Sequence, residues 1–167
     1  VYRMMPQANK PLAGIRILDL THMLSGPYGS MILADLGAET IKVEPLQGEG
    51  TRRLLAKDPK HSLDGMGAYY ITLNRNKKSI ALNLKDPDGL ATFYDLVREA
   101  DVVISNFGAG VPERLGIDYR TLNEINPRII TCTVTGFGSD GPNPNRPAFD
   151  QVAQATGGGM SITGTDP

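Results

Sequence analysis

The chain has 167 residues and a formal net charge of −1, with ordinary apolar and charged fractions. That length supports one domain with a real core, and the near-neutral charge excludes a global field for nucleic acid or an acidic membrane, so any anion site is local. Cys132 is the only cysteine, which excludes an internal disulfide and points to a reducing, cytoplasmic setting.

The chain opens with "VYRMMPQANK", which has no apolar signal core; residues 1–9 read as a flexible lead-in and residues 10–167 as one domain. No apolar run approaches the ~20 residues of a membrane span. "GIRILDLT" is a short apolar run, predicting a strand near Ile15–Leu20. "GPYGSMILADLGAE" follows as a helix, with Pro27 in its first turn, where a missing N–H costs nothing. Gly37 suits the left-handed position just past its end. "ETIKVEP" is a second strand, closed by Pro45.

A long irregular stretch runs from Leu46 to about Lys78, of a length that is uncommon without a task. "YYITLN" inside it fits a short helix or a short strand. "SIALNL" predicts a third strand. "DPDGLATFYDLVREA" is a helix with Asp86 as N-cap and Pro87 at its first position, burying Leu90, Phe93, Tyr94 and Val97. "DVVIS" and "RIITCTV" are two further strands flanking the short helix "YRTLNEIN". The apolar strand around Cys132 predicts a packed core thiol rather than a nucleophile.

Strands separated by helices predict an α/β fold with a Rossmann-like, mostly parallel sheet covered on both faces. Ligands of such sheets bind beyond the carboxyl ends of the strands. That rule nominates Thr21 to Gly26 after the first strand, Glu44 and Pro45 after the second, and Asn106, Phe107 and Gly108 after the fourth.

The loop after the last strand carries Gly136, Gly138 and Gly141 at the spacing G-x-G-x-x-G. A dinucleotide turn needs a helix opening directly at those glycines. Here "PNPNRP" follows, and its prolines forbid a regular helix. The glycines read instead as a place where backbone approaches a ligand closely. No His, Cys, Asp and Glu cluster has metal-ligand spacing, and there is no nucleophile elbow.

"PLAGIRILDLTHMLSGPYGSMILADLGAETIKVEP" resembles the opening of the class III CoA-transferases, of CaiB/BaiF type, the family of formyl-CoA transferase and α-methylacyl-CoA racemase. "NRNKKSIALNLKDPDG", "ADVVISNFGAGVPERLGIDY", "NPRIITCTVTGFGSDGP" and "RPAFDQVAQATGGGMSITG" are similar to further family landmarks, in order, over Lys10 to Gly164.

The resemblance implies CoA or acyl-CoA as substrate, with no permanently bound cofactor. It places CoA contacts on His22, Leu24, Ser25, Leu82, Lys85, Asn106, Phe107, Gly108 and Arg114. Phosphates seek Lys and Arg, and Arg52, Arg53, Arg75, Lys77, Lys78, Lys85 and Arg114 are the candidate cations. Leu24 stands where formyl-CoA transferase has a glutamine, and Pro45 where a phosphate-facing arginine is frequent. Phe149 stands where the racemases carry a histidine and cannot transfer a proton, which favours transfer over racemisation. Asp150 either supports a reacting group or N-caps the helix "QVAQAT". His22 reads as a CoA contact rather than an acid or base.

Family transfer runs through an aspartate that forms a covalent intermediate. The resemblance places it beyond Pro167, leaving Asp166 a loop residue, so the chain is expected to be the N-terminal part of a CoA-transferase that moves CoA from an acyl-CoA to a small carboxylic acid, homodimeric at full length. An acyl-CoA racemase or epimerase, or a non-catalytic CoA- or nucleotide-binding module, are the alternatives.

Overall fold

The computed structural model describes residues 10–138 and 140–164. The expected lead-in and Asp166 lie outside those residues. In chain order the elements are β1 (Arg16–Asp19), α1 (Ser25–Asp35), β2 (Glu39–Glu44), a 3-10 turn (Gly50–Arg53), β3 (Ser62–Leu63), β4 (Met66–Gly67), α2 (Ala68–Leu73), β5 (Lys77–Ala81), α3 (Pro87–Arg98), β6 (Val102–Ser105), α4 (Val111–Leu115), α5 (Tyr119–Ile125), β7 (Ile130–Thr133), α6 (Asp150–Thr156) and a 3-10 turn (Gly159–Ile162).

Five strands form one sheet in the order β5-β2-β1-β6-β7, and every pair in it is parallel. The chain moves outward from β1 through β2 to β5, then returns to the other side of β1 as β6. The order therefore reverses between β1 and β6, and a crevice opens there at the strands' carboxyl ends.

Side-chain alternation along the strands divides the core. Leu18, Leu20, Val43 and Val103 face Phe93 and Val97 of α3 and Leu122 of α5. Ile17 and Ile104, on the other face, pack with Ala38 and Leu33 beside α1. Helices thus cover both faces, as expected. Asp86 caps α3 by accepting from the N–H groups of Asp88 and Gly89, and Gly37 turns left-handed at φ 107° after α1. On α1, Leu24, Tyr28, Ile32 and Leu36 recur every four residues as an exposed apolar stripe.

The long stretch after β2 is folded rather than open. Arg52 donates to both oxygens of the buried Glu44, at 2.7 and 2.6 Å, and to the Tyr70 hydroxyl at 2.5 Å. "YYITLN" resolves as helix, within α2. Gly67 is required there, because a Cβ would strike the Leu54 carbonyl.

Three expectations are corrected, and one helix is added. The third strand begins at Lys77 and ends at Ala81, because the Lys77 ammonium has buried partners and so belongs inside the sheet. Cys132 is exposed, since β7 is an edge strand with no described residue burying that position. Asp150 is the first residue of α6, not its cap; its carboxylate accepts from Gln154 Nε2 at 2.6 Å, and Phe149 holds the cap position without a side-chain bond. α4 was not anticipated; left-handed glycines, Gly110 and Gly116, bracket it.

The glycine-rich loop after β7 leads to no helix until Asp150, so it is not a dinucleotide turn. The space beside Gly136 is taken by Ala148, and that beside Gly141 by the Phe137 carbonyl. At these two positions the loop packs closely on itself.

Candidate active-site pocket at the sheet rim

The site is built on the segment that leaves β1. Asp19, fully buried, ends the strand by accepting from the Thr21 N–H at 2.9 Å and the Thr21 hydroxyl at 2.5 Å. Ser30 of α1 donates to its other oxygen at 2.6 Å. Lys77 reaches that oxygen from β5 at 2.9 Å. Burial works to raise the Asp19 pKa, but Lys42 and Lys77 outweigh it and hold it below the usual carboxylate range. Burial lowers the Lys77 pKa, and Asp19 opposes that.

Beside this pair lies a second one. Lys42 on β2 is 2.9 Å from Glu49, with both side chains at 5% exposure or less. Two ammonium groups and two carboxylates are thus buried together, and their charges cancel, which is what makes such burial tolerable.

The next residues are fixed at successive backbone groups. The Thr21 carbonyl accepts from Lys42 Nζ at 2.7 Å. The His22 N–H donates to Asn106 Oδ1 at 3.0 Å, and Asn106 Nδ2 donates back to the His22 carbonyl at 2.8 Å. The Met23 N–H donates to Glu49 Oε1 at 2.8 Å. Met23 has a φ of 70°, a conformation that costs a residue with a Cβ free energy.

Above this turn lies a pocket of ≈370 Å³. Leu20, Val43, Leu82 and Leu84 supply apolar walls, and His22, Lys85 and Phe107 supply ring and charge. The His22 and Phe107 rings lie 5.4 Å apart, centroid to centroid. Burial lowers the His22 pKa, partly countered by Glu49, so the ring is neutral at pH 7. That suits contact and hydrogen bonding better than proton donation.

Of the residues expected at the site, His22, Leu82, Lys85 and Phe107 line the pocket together. Leu24 and Ser25 lie just past the turn, where α1 begins, and both are exposed. Asn106 sits at the crevice with its amide engaged by the His22 backbone. Gly108 follows on the same loop, and a Cβ there would meet nothing within 4 Å. Arg114, on α4, is exposed near Gly110. Asp150, on α6, is not among the residues lining the pocket.

The candidate cations separate cleanly. Arg52 is paired with Glu44, Arg75 with Asp35, Lys77 with Asp19 and Lys78 with Glu39. Arg53 donates to the Gln47 carbonyl at 3.3 Å. Among the described residues, Arg53, Lys85 and Arg114 are the candidate cations with no carboxylate partner within ion-pair distance. The sequence reading missed Lys42 and Glu49. The available signal was Lys42 itself, a charge in the middle of a strand of a doubly covered sheet, where it demands a buried partner.

A wound parallel sheet with a largely apolar pocket at its switch point defines a Rossmann-like α/β domain. Within that class, the chain belongs to CoA-transferase family III, whose model matches residues 12–167. It is 46% identical over 155 residues to acetyl-CoA:oxalate CoA-transferase of Acetobacter aceti, covering 92% of this chain and 39% of that protein. It is 45% identical to human succinyl-CoA:glutarate CoA-transferase, covering 94% of this chain and 35% of the relative. The crystal structure of a CAIB/BAIF family protein from Brucella suis matches with a TM-score of 0.87 and 40% identity, over 93% of this chain and 41% of that one. The chain therefore spans about two fifths of the length of the relatives it matches.

Proposed function

We propose that this chain is the CoA-binding portion of an enzyme that moves CoA from an acyl-CoA to a small carboxylic acid. The single observation that carries the reading is the rim pocket. His22, Leu82, Lys85 and Phe107, expected from separate segments of sequence, converge on one cavity at the switch point. Its walls are apolar, and Lys85 brings an uncompensated cation. That combination suits an amphipathic carrier with phosphates at one end and an amide arm at the other.

In the proposed reaction a carboxylate adds to the thioester carbonyl, and collapse of the adduct breaks the C–S bond, releasing CoA thiolate and leaving the acyl group on the carboxylate as a mixed anhydride. The resemblance assigns that carboxylate to an aspartate outside residues 1–167. The share of this chain is to hold the carrier and keep the thiolate close for its return. Oxalate and glutarate occur in the names of the relatives, so a small dicarboxylate is the acceptor class to test first. Leu24 offers no amide donor for oxalate, which favours a longer or more apolar acid.

Phe149, at 70% exposure, offers no proton-transfer group, so racemisation has no support here. The resemblance also underlies a homodimer at full length and a cytoplasmic location. The exposed stripe on α1 supports association, being apolar surface of the kind that another protein covers.

Calorimetric titration with CoA and with NAD tests the binding half of the proposal. CoA binding with no response to NAD is expected; the reverse pattern sinks it. Assay of the full-length protein with acyl-CoAs against oxalate, succinate and glutarate tests the chemistry, and an intact protein that only binds CoA would leave the module reading standing.

A further inference from the structure

Among the described residues, four with side chains adopt positive φ: Met23, Leu55, Asp64 and Asn76. Asp and Asn visit that region readily, and Asp64 precedes Gly65 in the turn of the β3–β4 hairpin. Met23 has no such local excuse, and it stands in the turn that lines the pocket. Strain of this kind persists only where the surroundings over-determine it.

What over-determines it is the Lys42–Glu49 pair. Glu49 lies 26 residues along the chain from Met23, in the segment after β2. Its Oε1 accepts from the Met23 N–H at 2.8 Å and from the Thr51 hydroxyl at 2.7 Å. Its Oε2 lies 2.9 Å from Lys42 Nζ, and the same ammonium donates to the Thr21 carbonyl at 2.7 Å. The pair thus grips the turn at two backbone groups on either side of His22. The strained conformation carries the chain from β1 directly into α1 and presents the His22 ring beside Phe107.

We infer that Glu49, backed by Lys42, is a positioning residue. It holds the Thr21–Met23 turn in the left-handed form that shapes the CoA pocket. The inference rests on the CoA reading for its functional consequence, but its conformational half stands apart from any ligand.

The test has two arms on the same variants. K42M/E49L removes both charges, so neither is left buried alone. E49Q is the isosteric alternative should the double variant fold poorly. In the first arm, amide hydrogen exchange by NMR finds Met23 N–H protected in the parent and unprotected in K42M/E49L, with partial loss in E49Q. In the second, CoA affinity falls about tenfold in K42M/E49L, as expected for loss of a held, strained turn, and less in E49Q. Adding M23G to either variant restores affinity, because glycine adopts φ 70° without a clamp. Restoration separates positioning from general stability or direct contact, neither of which a glycine at 23 would mend. Retained Met23 protection in the folded variants, unchanged affinity, or no recovery with M23G overturns the inference. A parent chain with a protected Met23 and no CoA binding overturns the CoA reading and leaves the clamp intact.

Discussion

The carboxamide of Asn106 bonds both polar groups of the His22 backbone, accepting the N–H at 3.0 Å and donating to the carbonyl at 2.8 Å. This pair of hydrogen bonds ties the end of β6 to the end of β1 across the switch point. N106A leaves both His22 groups without their partner, at about 1–2 kcal/mol of stability. N106D keeps the acceptor but sets a carboxylate oxygen against the His22 carbonyl, and should be at least as damaging. Urea unfolding of the two variants, together with CoA titration, checks this. Unchanged stability in both would mean the pairing is incidental.

Glu44 predicts an acid-sensitive fold. Burial would raise its pKa, but hydrogen bonds from Arg52, Ser79 and the Glu49 N–H outweigh that and bring it from 4.5 down to about 2. The folded state therefore binds this proton less readily than the unfolded chain. The stabilisation is full above pH 4.5 and is lost as pH falls toward 2. It amounts to on the order of 3 kcal/mol. Denaturant midpoints measured from pH 6 to pH 2.5 should fall steeply, and E44Q should start lower with a shallower acid slope. A parallel acid limb in E44Q would assign the lability to other carboxylates.

The elements governed by local chemistry were legible in the sequence. Asp86 and Pro87 mark the start of α3, and Gly37 marks the end of α1, because caps and left-handed turns depend on near neighbours. His22 and Phe107 followed from both the switch-point rule and the family resemblance, Leu82 and Lys85 from the resemblance alone. The buried charges were not legible. A lysine in "KVE" or "NKK" reads as solvated until its partner is known, and the partners of Lys42 and Lys77 are brought near only by the fold. Cys132 misled for the opposite reason. An apolar strand reads as buried, but β7 lies at the edge of the sheet with no described residue packed over that position.

Gly26 marks a close approach between α1 and the segment leaving β1. A Cβ there would lie 2.5 Å from Thr21 Cβ, and Thr21 is itself held by Asp19. G26A should push Thr21 from its carboxylate and cost about 1–3 kcal/mol. Gly29, on the same helix, faces open space, so G29A should be neutral or stabilising by up to ~1 kcal/mol. Thermal melting of the pair gives an internal control, and equal effects would refute the steric account.

Lys85 and Arg114 should carry the salt-dependent part of CoA binding, because Arg52, Arg75, Lys77 and Lys78 are already paired with carboxylates and Arg53 is not among the residues lining the pocket. A surface ion pair such as Arg75–Asp35 offers little to a ligand without first losing its own partner. Lys85 lies at the pocket and pairs with no described carboxylate. A charge-assisted hydrogen bond to phosphate is worth about 1.5–3 kcal/mol, so K85A should weaken CoA binding by about tenfold or more and flatten its dependence on ionic strength. R114A should act in the same direction, whereas R75A and K78A should leave affinity unchanged. Dephospho-CoA distinguishes Lys85 from Arg114. The one that faces the 3′-phosphate loses its mutational effect with that ligand, and the one that faces the pyrophosphate keeps it. Equal affinities for all four variants across 50–300 mM salt, over which the screening length falls roughly 2.4-fold, would show that phosphate recognition lies elsewhere.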